Sequence, residues 1–510
     1  MRATPLVRSK RALLTLLVFS SVVASACERI PAGETLWIRL TAPVSSYNAK
    51  VGDTVQGVVT QDLMCGDEMV VSVGASILGT VQIVHKVGLG VRHETATLKF
   101  SFQQVATTSG KPLPIAASIA AVDNAREQVS NGVVHGIRST NTPQGMITSR
   151  LKYLPTLNPY PDLGLLLFKA TFPIFPEPEI YFPAGTDVQL KLDATLLNPP
   201  STLVELETPI DAPNPAELRA LVASLPERST TTNMVPADFV NVAFIGSKEQ
   251  LQSAFEHAGW QTADPINRHS VTRNFVAFLK NASYTHAPMR PFLLDGQTPD
   301  MNWQKSLNTY AQRDHMRVWE WEGTDITGPV FVGTATHDKG VGISWKRHQF
   351  VHHINSNIDD ERSKIIRDLR AAGCVHGVYL VSRSGIAPSG VNSIGDPITT
   401  DSDIAVVQLQ ECHAVVPELA EDPEPAPYKP GTKLFRYFRR DILTVRSDIW
   451  RANIIYATYD VLRMGFNAWR RHETATVAAA PGAKPDAKPD AKPAEAVVAA
   501  TGRELAAEAP

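Results

Sequence analysis

The residues best suited to chemistry lie in two predicted strands, HMRVWEW and PVFVGTATH. The alternation of a β-strand places His315 and Arg317 on one face of the first strand. His337 ends the second strand, next to Asp338 in the turn predicted to follow it. Histidines and a carboxylate from separate strands could bind a divalent metal, or supply an acid and a base around a phosphate held by the arginine. These four residues are therefore candidate catalytic residues of a metal-assisted phosphoester hydrolase.

The stretch FVHHINSNIDDER, residues 350–362, adds two neighbouring histidines that a strand would place on opposite faces. We assign His353 to the candidate catalytic set, and His352 together with His337 to a candidate metal site. The acidic residues 359–361 are interpreted as the cap and first turn of a helix, where negative charge is stabilising. The imidazoles of this stretch thus remain functional candidates, while its acidic half has a structural role.

The loop GDPITTDSD supplies Asp396 and Asp401, which complete the candidate metal site. Carboxylate oxygens on such a loop suit a hard cation such as calcium, although the spacing differs from that of an EF-hand. Hydrogen bonding within a turn is the favoured interpretation of this loop. The sequence contains no catalytic triad, phosphate-cradling glycine loop or zinc-type cysteine pair. The cofactor is therefore predicted only as an unspecified divalent metal.

The same histidines have a second interpretation that involves no catalysis. His315 and one histidine of the pair at 352 and 353 could be packed and hydrogen-bonded among tryptophans. No arrangement in the sequence supplies a nucleophile, a base and an oxyanion donor together. A binding or scaffold function at the membrane surface, for lipid or cell-wall material, is therefore favoured over the hydrolase.

Residues 27–200 have the pattern of a β-rich domain. Short alternating runs such as TLWIRL, TVQGVV and ATLKFSF are separated by Gly, Pro, Asn and Asp. The phrase IPAGETLWIRL at 30–40 returns as FPAGTDVQLKL at 182–192, and each copy is typical of a tight turn followed by a strand. Because such strands need closure to hide their edges, we predict an all-β barrel or sandwich.

The chain is predicted to be multidomain, with a Pro-rich linker at 201–235 and a second domain at 236–416. The second domain mixes strand-like and helix-like patterns, which predicts an α/β (α+β) fold with a mixed, largely antiparallel sheet. Its runs MRVWEWE, PVFVGTATH, VGISW and QFVHHI suit an antiparallel meander. Residues 338–340 are predicted to be the turn between the middle two runs.

Several segments of the second domain resemble, in order and over residues 237–412, the LssY C-terminal domain family. They are VNVAFIGSKEQLQSAFEHAGW, QRDHMRVWEWEG, VGTATHDKGVGIS, VHHINSNIDDERSKIIRDL and SIGDPITTDSDIAVVQL. The resemblance implies a bacterial domain of undefined activity, often found in membrane proteins with a type 2 phosphatidic acid phosphatase-like or DedA-like segment. This chain has no multi-span membrane block, and APSGVN lacks the His of that phosphatase signature. Phosphatase chemistry of that type is therefore not transferred.

The N-terminus has the pattern of a secretory signal peptide at residues 1–26. The basic MRATPLVRSKR is followed by the apolar ALLTLLVFSSVVA and by small residues before Cys27. These residues resemble the bacterial lipobox, although Ala24 stands where Leu is usual. One interpretation is a lipid on Cys27 that tethers the protein to a membrane; the other is plain cleavage, with Cys27 free to pair with Cys65. Both export the chain to the periplasm or cell envelope.

Export makes a disulfide between Cys374 and Cys412 a reasonable prediction, since oxidising compartments favour such bonds. The two cysteines flank the apolar runs VHGVYLVS and IAVVQLQE, and antiparallel pairing of these runs would bring the thiols side by side. Two unconnected buried thiols are the alternative.

The C-terminal part is predicted to hold a Pro-rich spacer at 417–433, a basic amphipathic helix at 434–472 and a disordered Ala/Pro/Lys tail at 473–510. The helix could lie on an anionic membrane or, in the favoured interpretation, dock on a neighbouring domain. The formal net charge of -2 gives no reason to expect a nucleic-acid partner. The predicted partners are a membrane surface, through a lipid on Cys27 or this helix, and other envelope proteins.

Overall fold

A computed structural model describes residues 27–107, 110–138, 176–203, 212–322, 326, 328–344 and 349–413 of the chain, with a few single positions beyond 431. The predicted signal peptide, nearly all of the C-terminal spacer and of the basic helix, and the predicted tail lie outside the described residues. No helix in the described part of the chain has the length and apolar content needed to cross a bilayer.

Six long strands form the first domain. They are β1 (Thr35–Leu40), β2 (Thr54–Val59), β3 (Ser76–His85), β4 (Thr97–Ala106), β5 (Pro112–Val122) and β6 (Asp187–Leu192). Their order is β4-β3-β2-β1-β6-β5, all pairs are antiparallel, and β5 pairs back onto β4. This closure makes the sheet a six-stranded barrel without free edges. Of the two predicted alternatives, the barrel is the one confirmed.

The repeated phrase of the sequence forms two neighbouring strands of the barrel. Each copy makes a turn at a glycine with positive φ, 96° at Gly33 and 87° at Gly185, and then enters β1 or β6. The two strands pair so that Leu36 lies opposite Leu190, and both leucines are buried. The turn-plus-strand prediction is therefore confirmed for both copies.

Both domains also contain short strands. Those in the first domain are Arg29–Ile30, Val44–Ser45, Leu63–Cys65, Glu68–Val71, Gln128–Ser130, Val133–His135, Tyr181–Phe182, Leu196–Leu197 and Thr202–Leu203. Those in the second domain are Arg228–Thr231, Pro236–Phe239, Gln261–Thr262, Phe292–Leu293, Ser389–Val391 and Pro397–Thr399.

A mixed sheet forms the second domain. Its main strands are β7 (Val242–Ile245), β8 (Met301–Lys305), β9 (Arg313–Trp321), β10 (Val330–Ser344), β11 (Gln349–Ile354), β12 (Val375–Ser382) and β13 (Asp403–Leu409). The order is β8-β9-β10-β7-β13-β12, with β11 also on β10. Only β7 and β13 run parallel among these pairs. The predicted mixed, largely antiparallel sheet is confirmed.

Helices cover this sheet. They are α1 (Pro215–Ser224), α2 (Lys248–His257), α3 (Arg268–Lys280) and α4 (Ile358–Ala371). Residues of α2 and α4, among them Phe255 and Leu369, pack with Trp303 and Met316 on one side of the sheet. Residues of α1 pack with Trp319 on the other side. The acidic residues 359–361 lie in the first turn of α4, as the sequence indicated, but the cap residue is Asn357 and not one of these three.

Two features differ from the sequence-based prediction. Residues 338–340 do not form a turn, because β10 continues through them and Lys339 is the extra residue of a β-bulge. The bulge has the Gly-containing signature of a turn, but both sides of it stay paired with β11. Part of the predicted linker is also ordered. Asn214 caps α1 in a capping box with Glu217, and the apolar face of that helix is buried on the domain.

Candidate functional site

The candidate residues lie on the two faces of the strand pair β9–β10. Arg313 is directly opposite Asp338, and Asp314 is directly opposite His337. Because opposite residues of an antiparallel pair share a face, and neighbours along a strand do not, these two pairs point to different sides of the sheet. His315 shares the face of Arg313 by period two. We call this the cavity face, and the side of Asp314 and His337 the interdomain face.

The cavity face borders a cavity of about 290 Å³. Apolar side chains such as Phe292, Val351 and Ile354 form part of its wall. Its ionisable lining residues are Asp238, Arg290, Arg313, His315, Arg317, Asp338 and His352. The cavity therefore gathers basic side chains around two carboxylates.

Asp338 is the common partner of three basic groups on this face. Its Oδ2 atom accepts from His315 Nε2 at 2.7 Å and from Arg313 Nε at 3.2 Å. The Nδ1 atom of His352 lies 3.1 Å from the same oxygen, at ion-pair distance but without the alignment of a hydrogen bond. Burial acts to raise the pKa of Asp338, but His315 and His352 hold it well below its ordinary value. Asp338 is therefore a carboxylate that orients the His315 imidazole by a hydrogen bond and lies at ion-pair distance from the His352 imidazole.

His315 is neutral in this environment. Burial lowers its pKa to about 4, and the opposing charge of Asp338 does not compensate. We assign the single ring proton to Nε2, because that atom lies against the Asp338 carboxylate. Nδ1 is then a bare acceptor, and it is buried without a hydrogen-bond partner.

Arg317 is held on three sides. Its Nη1 donates to Asp238 at 3.1 Å, and its guanidinium carbon lies 4.2 Å from the ring centre of Phe292. Its Nη2 donates to the carbonyl of Arg290, whereas its Nε is buried without a partner. Burial lowers the pKa of Arg317 and raises that of Asp238. A fixed guanidinium with an unused donor is thus part of the cavity wall.

On the interdomain face, His337 belongs to a different group of charges. Its Nδ1 lies 2.7 Å from Asp314 Oδ1, and the other oxygen of Asp314 accepts from Asn124 of the barrel at 2.6 Å. Burial acts to lower the pKa of His337, but the hydrogen bond and charge of Asp314 outweigh it and raise this pKa above its ordinary value. His337 therefore contributes to the contact between the two domains.

Buried ion pairs extend this contact. Lys364 Nζ lies 2.7 Å from Asp123 of the barrel and 3.4 Å from Asp314. Lys305 Nζ bridges Asp187 of the barrel at 2.8 Å and Asp368 at 2.9 Å. We call the set the interdomain charge cluster; its members are Arg39, Asp123, Asp187, Lys305, Asp314, Lys364 and Asp368.

Glu361 lies beside this cluster. The ligand atoms of Asp314, His337 and Glu361 are all within 4.8 Å of one another, a spacing that could hold a metal ion. Burial, and then the charge of Asp314, raise the pKa of Glu361 well above its ordinary value, and its Oε1 has no hydrogen-bond partner. The Lys364 ammonium lies 3.4 Å from Asp314 and supplies positive charge at this carboxylate.

The structure does not bring all of the predicted site residues to one place. Of the candidate catalytic set, His315, Arg317 and Asp338 share the cavity, whereas His337 lies on the opposite face. His353 pairs with Asp396 at 2.7 Å, at the other side of β11 from His352. The four candidate metal ligands have four separate partners: Asp314 for His337, Asp338 for His352, His353 for Asp396 and Arg362 for Asp401. The prediction that these strand ends bring the candidate residues to one site is therefore wrong for His337.

Both cysteine pairs are joined. Cys374 and Cys412 form a disulfide at the ends of β12 and β13, which pair antiparallel as the sequence indicated. Cys27 forms a disulfide with Cys65. The structure therefore contains the Cys27–Cys65 bond of the second alternative, and a lipid on the Cys27 sulfur would require this bond to be absent.

Several residues of the two faces were not identified from the sequence. Arg313 has the same period-two relation to His315 as Arg317, so the strand pattern contained its signal. Lys364 and Asp368 are spaced i, i+4 on α4, which is also typical of a solvated helix face. No local sequence pattern indicated that Asp238, or the barrel residues Asp123 and Asp187, belong to either face.

Comparisons with known proteins identify the second domain. The family model described as LssY C-terminus matches residues 222–404. No curated protein matches the chain. Among solved structures, ComB10 of the Com type IV secretion system of Helicobacter pylori is similar at 11% identity and a TM-score of 0.21, over 33% of this chain and 90% of that chain. That TM-score supports no argument. Residues 222–404 are therefore an LssY C-terminal domain, a domain of unknown function, as the ordered motifs predicted.

Proposed function

We propose that the protein is exported to the cell envelope and that its LssY C-terminal domain binds an anionic, phosphate-containing ligand in the cavity. The observation that carries the proposal is the charge of the cavity wall. Arg290, Arg313 and Arg317 face Asp238 and Asp338, so cations outnumber anions while His315 is neutral. A guanidinium suits the oxygens of phosphate because its donors form a planar fork.

Export has support from the cysteines. All four are paired in disulfides, and such bonds persist in oxidising compartments. The backbone N–H of Cys27 donates to Glu68 at 2.8 Å. Cleavage of a signal peptide after Ala26 would place the new α-ammonium beside this carboxylate, where the charges attract.

The test is calorimetric titration of the full chain with inorganic phosphate and with glycerol 3-phosphate. Arg317→Lys keeps the charge but loses the fork and the contact with Phe292, so we expect about tenfold weaker binding, or about 1.4 kcal/mol. Arg370→Lys is the matched control, because Arg370 is exposed on α4 and should leave the affinity unchanged. Wild-type affinity in Arg317→Lys, or no binding by the wild type, would reject the proposal.

Hydrolysis of a phosphoester is the second candidate function, and the position of His352 favours it. Its imidazole is part of the cavity wall, with Nδ1 3.1 Å from Asp338, close to the distance at which a carboxylate supports a general acid or base. Turnover of bis(p-nitrophenyl) phosphate, with and without added Mn²⁺ or Zn²⁺, would reveal this activity. His352→Gln should abolish it and His353→Gln should not; activity that survives His352→Gln would assign it elsewhere.

A further inference from the structure

Helix α3 has several apolar side chains on its solvent side. The positions that face the domain are Ser270, Asn274 and Ala277, spaced i, i+4 and i+7, of which the first and last are buried. Val271 and Phe275, at i and i+4 on another face, are 51% and 53% exposed. A helix that only packs on its own domain buries its apolar side chains and exposes its polar ones. The exposed apolar face therefore indicates an interaction with another molecule or surface.

Further apolar residues widen this face. Val276 is 37% exposed, and Ile266, just before the helix, is 58% exposed. The ring of Phe275 stacks on Phe278, which in turn contacts the edge of Tyr310. These ring contacts fix the orientation of Phe275 on the domain surface. These contacts hold the exposed apolar side chains in position on the domain. The face is therefore suited to contact another apolar surface.

The charge of α3 identifies the kind of surface. Its sequence RHSVTRNFVAFLK contains no acidic residue, and Arg268 and Arg273 are exposed beside the apolar positions. Apolar side chains flanked by arginines are typical of helices that lie in the interface of an anionic membrane. A soluble protein partner would need an acidic groove of matching shape, for which this chain offers no evidence. The pattern therefore favours a lipid surface.

Helix α3 also forms part of the wall of the ligand cavity. Asn274, on the domain-facing side of α3, lines the same cavity as Arg290 and Arg317. A membrane that contacts Val271 and Phe275 would hold lipid phosphates next to a wall of guanidinium groups. The apolar face and the cavity therefore form one surface, with the helix as its edge.

We infer that α3 docks on an anionic membrane and that the cavity binds the phosphate headgroup of a lipid in that membrane. This inference rests on the proposed function, because it names the source of the phosphate group bound in the cavity. The apolar residues of α3 supply attachment to the bilayer, and the cavity arginines supply recognition of the headgroup.

The test is co-sedimentation of the full chain with vesicles of phosphatidylglycerol and phosphatidylcholine, or of phosphatidylcholine alone. We expect binding to the anionic vesicles and little to the neutral ones. The double variant Val271→Ser/Phe275→Ser should bind the anionic vesicles about tenfold more weakly. Leu197→Ser is the matched control, because Leu197 is 71% exposed at a strand of the barrel domain, and it should bind like the wild type.

A second readout follows the docking directly. Phe275→Trp should show a blue-shifted tryptophan emission in the presence of anionic vesicles, relative to the same vesicles with unsubstituted protein. Undiminished vesicle binding by the double variant, or no spectral shift, would overturn the inference. Loss of self-association in the double variant, measured by light scattering, would instead assign the apolar face to a second copy of the chain and also overturn it.

The two proposals fail in different ways. The double variant leaves the cavity arginines in place, so it should still bind inorganic phosphate as the wild type does. Phosphate binding without any effect of α3 on vesicles would overturn only the membrane inference. Vesicle binding that depends on α3 but not on Arg317, in a protein that does not bind phosphate, would overturn the proposed function and the headgroup assignment together.

Discussion

The two faces of the β9–β10 strand pair carry similar residues but differ in how their charges are satisfied. On the cavity face, Asp338 contacts two imidazoles and a guanidinium, yet His315 keeps a nitrogen without a partner. On the interdomain face, Asp314 contacts His337, Asn124 and Lys364, which come from both domains. The cavity face borders open volume and thus retains capacity for a ligand, whereas on the interdomain face both oxygens of Asp314 are paired with protein groups.

This difference shows that the position of a histidine and carboxylate pair decides its role more than its composition does. His315–Asp338 and His337–Asp314 have the same 2.7 Å separation. Burial dominates at His315 and lowers its pKa, whereas Asp314 dominates at His337 and raises its pKa. The first pair borders open volume, and the second is closed over by α4 and the barrel. We therefore expect substitutions on the interdomain face to alter mainly stability, and those on the cavity face mainly binding.

The largest effect is expected from Lys364→Met. This change leaves Asp123, Asp314 and Asp368 buried without their shared cation, and breaking a buried ion pair from one side costs about 3–5 kcal/mol. Urea unfolding of the full chain would measure the change. Lys364→Arg, which keeps the charge, should recover part of the loss.

Lys248→Met is the control for that experiment. Lys248 is exposed at the start of α2, so the same substitution should change the free energy of unfolding by less than about 0.5 kcal/mol. Equal effects of the two substitutions would show that the interdomain charge cluster does not hold the domains together.

Part of this arrangement follows from local sequence alone. Period two placed His315 and Arg317 on one face, and both border the cavity. The repeated turn-plus-strand phrase predicted β1 and β6, because a glycine turn and an alternating run are local signals. The acidic first turn of α4 was equally local. These features needed no knowledge of what packs against them.

The other features of the two faces could not be predicted from local sequence, because they depend on tertiary contacts. The face of His337 is set by the register of β10 against β9, and a shift by one residue would have moved it to the side of His315. The bulge at Lys339 has the same residue types as a turn, so only the continued pairing with β11 distinguishes them. The spacing of Lys364 and Asp368 is typical of a solvated helix face, and only their contacts with Asp123 and Arg39 of the barrel show that they are buried.

A smaller effect on stability, and one that depends on pH, is expected from His315→Gln. Burial lowers the pKa of His315 to about 4 from an ordinary 6.5. Between these values the unfolded chain binds a proton that the folded protein excludes. The stability from neutral His315 is therefore fully present above about pH 6.5 and lost as pH falls to about 4, by at most about 3 kcal/mol.

Urea unfolding at about pH 7 and about pH 4.5 would test this expectation. The wild type should lose more stability than His315→Gln between the two conditions, because the variant lacks the buried imidazole whose pKa is lowered to about 4. A constant difference between the two proteins would mean that His315 is accessible to protons in the folded state, contrary to its burial.

The smallest effect is expected from His337→Gln, with the opposite dependence on pH. Because Asp314 raises the pKa of His337 above its ordinary 6.5, the stability from the charged pair is fully present below about pH 6.5. It is lost as pH rises through the raised pKa. The variant should be less stable than the wild type by about 1 kcal/mol at low pH, with a smaller gap at high pH.

Nuclear magnetic resonance titration of the histidine Cε1–H signals would measure the two sites in one sample. The signal that disappears in His337→Gln should have its midpoint above 6.5, and the signal that disappears in His315→Gln should have its midpoint near 4. A His337 midpoint below 6.5 would mean that burial outweighs Asp314 on the interdomain face as well. The two faces would then differ only in open volume, and the cavity alone would distinguish the ligand site from the contact between domains.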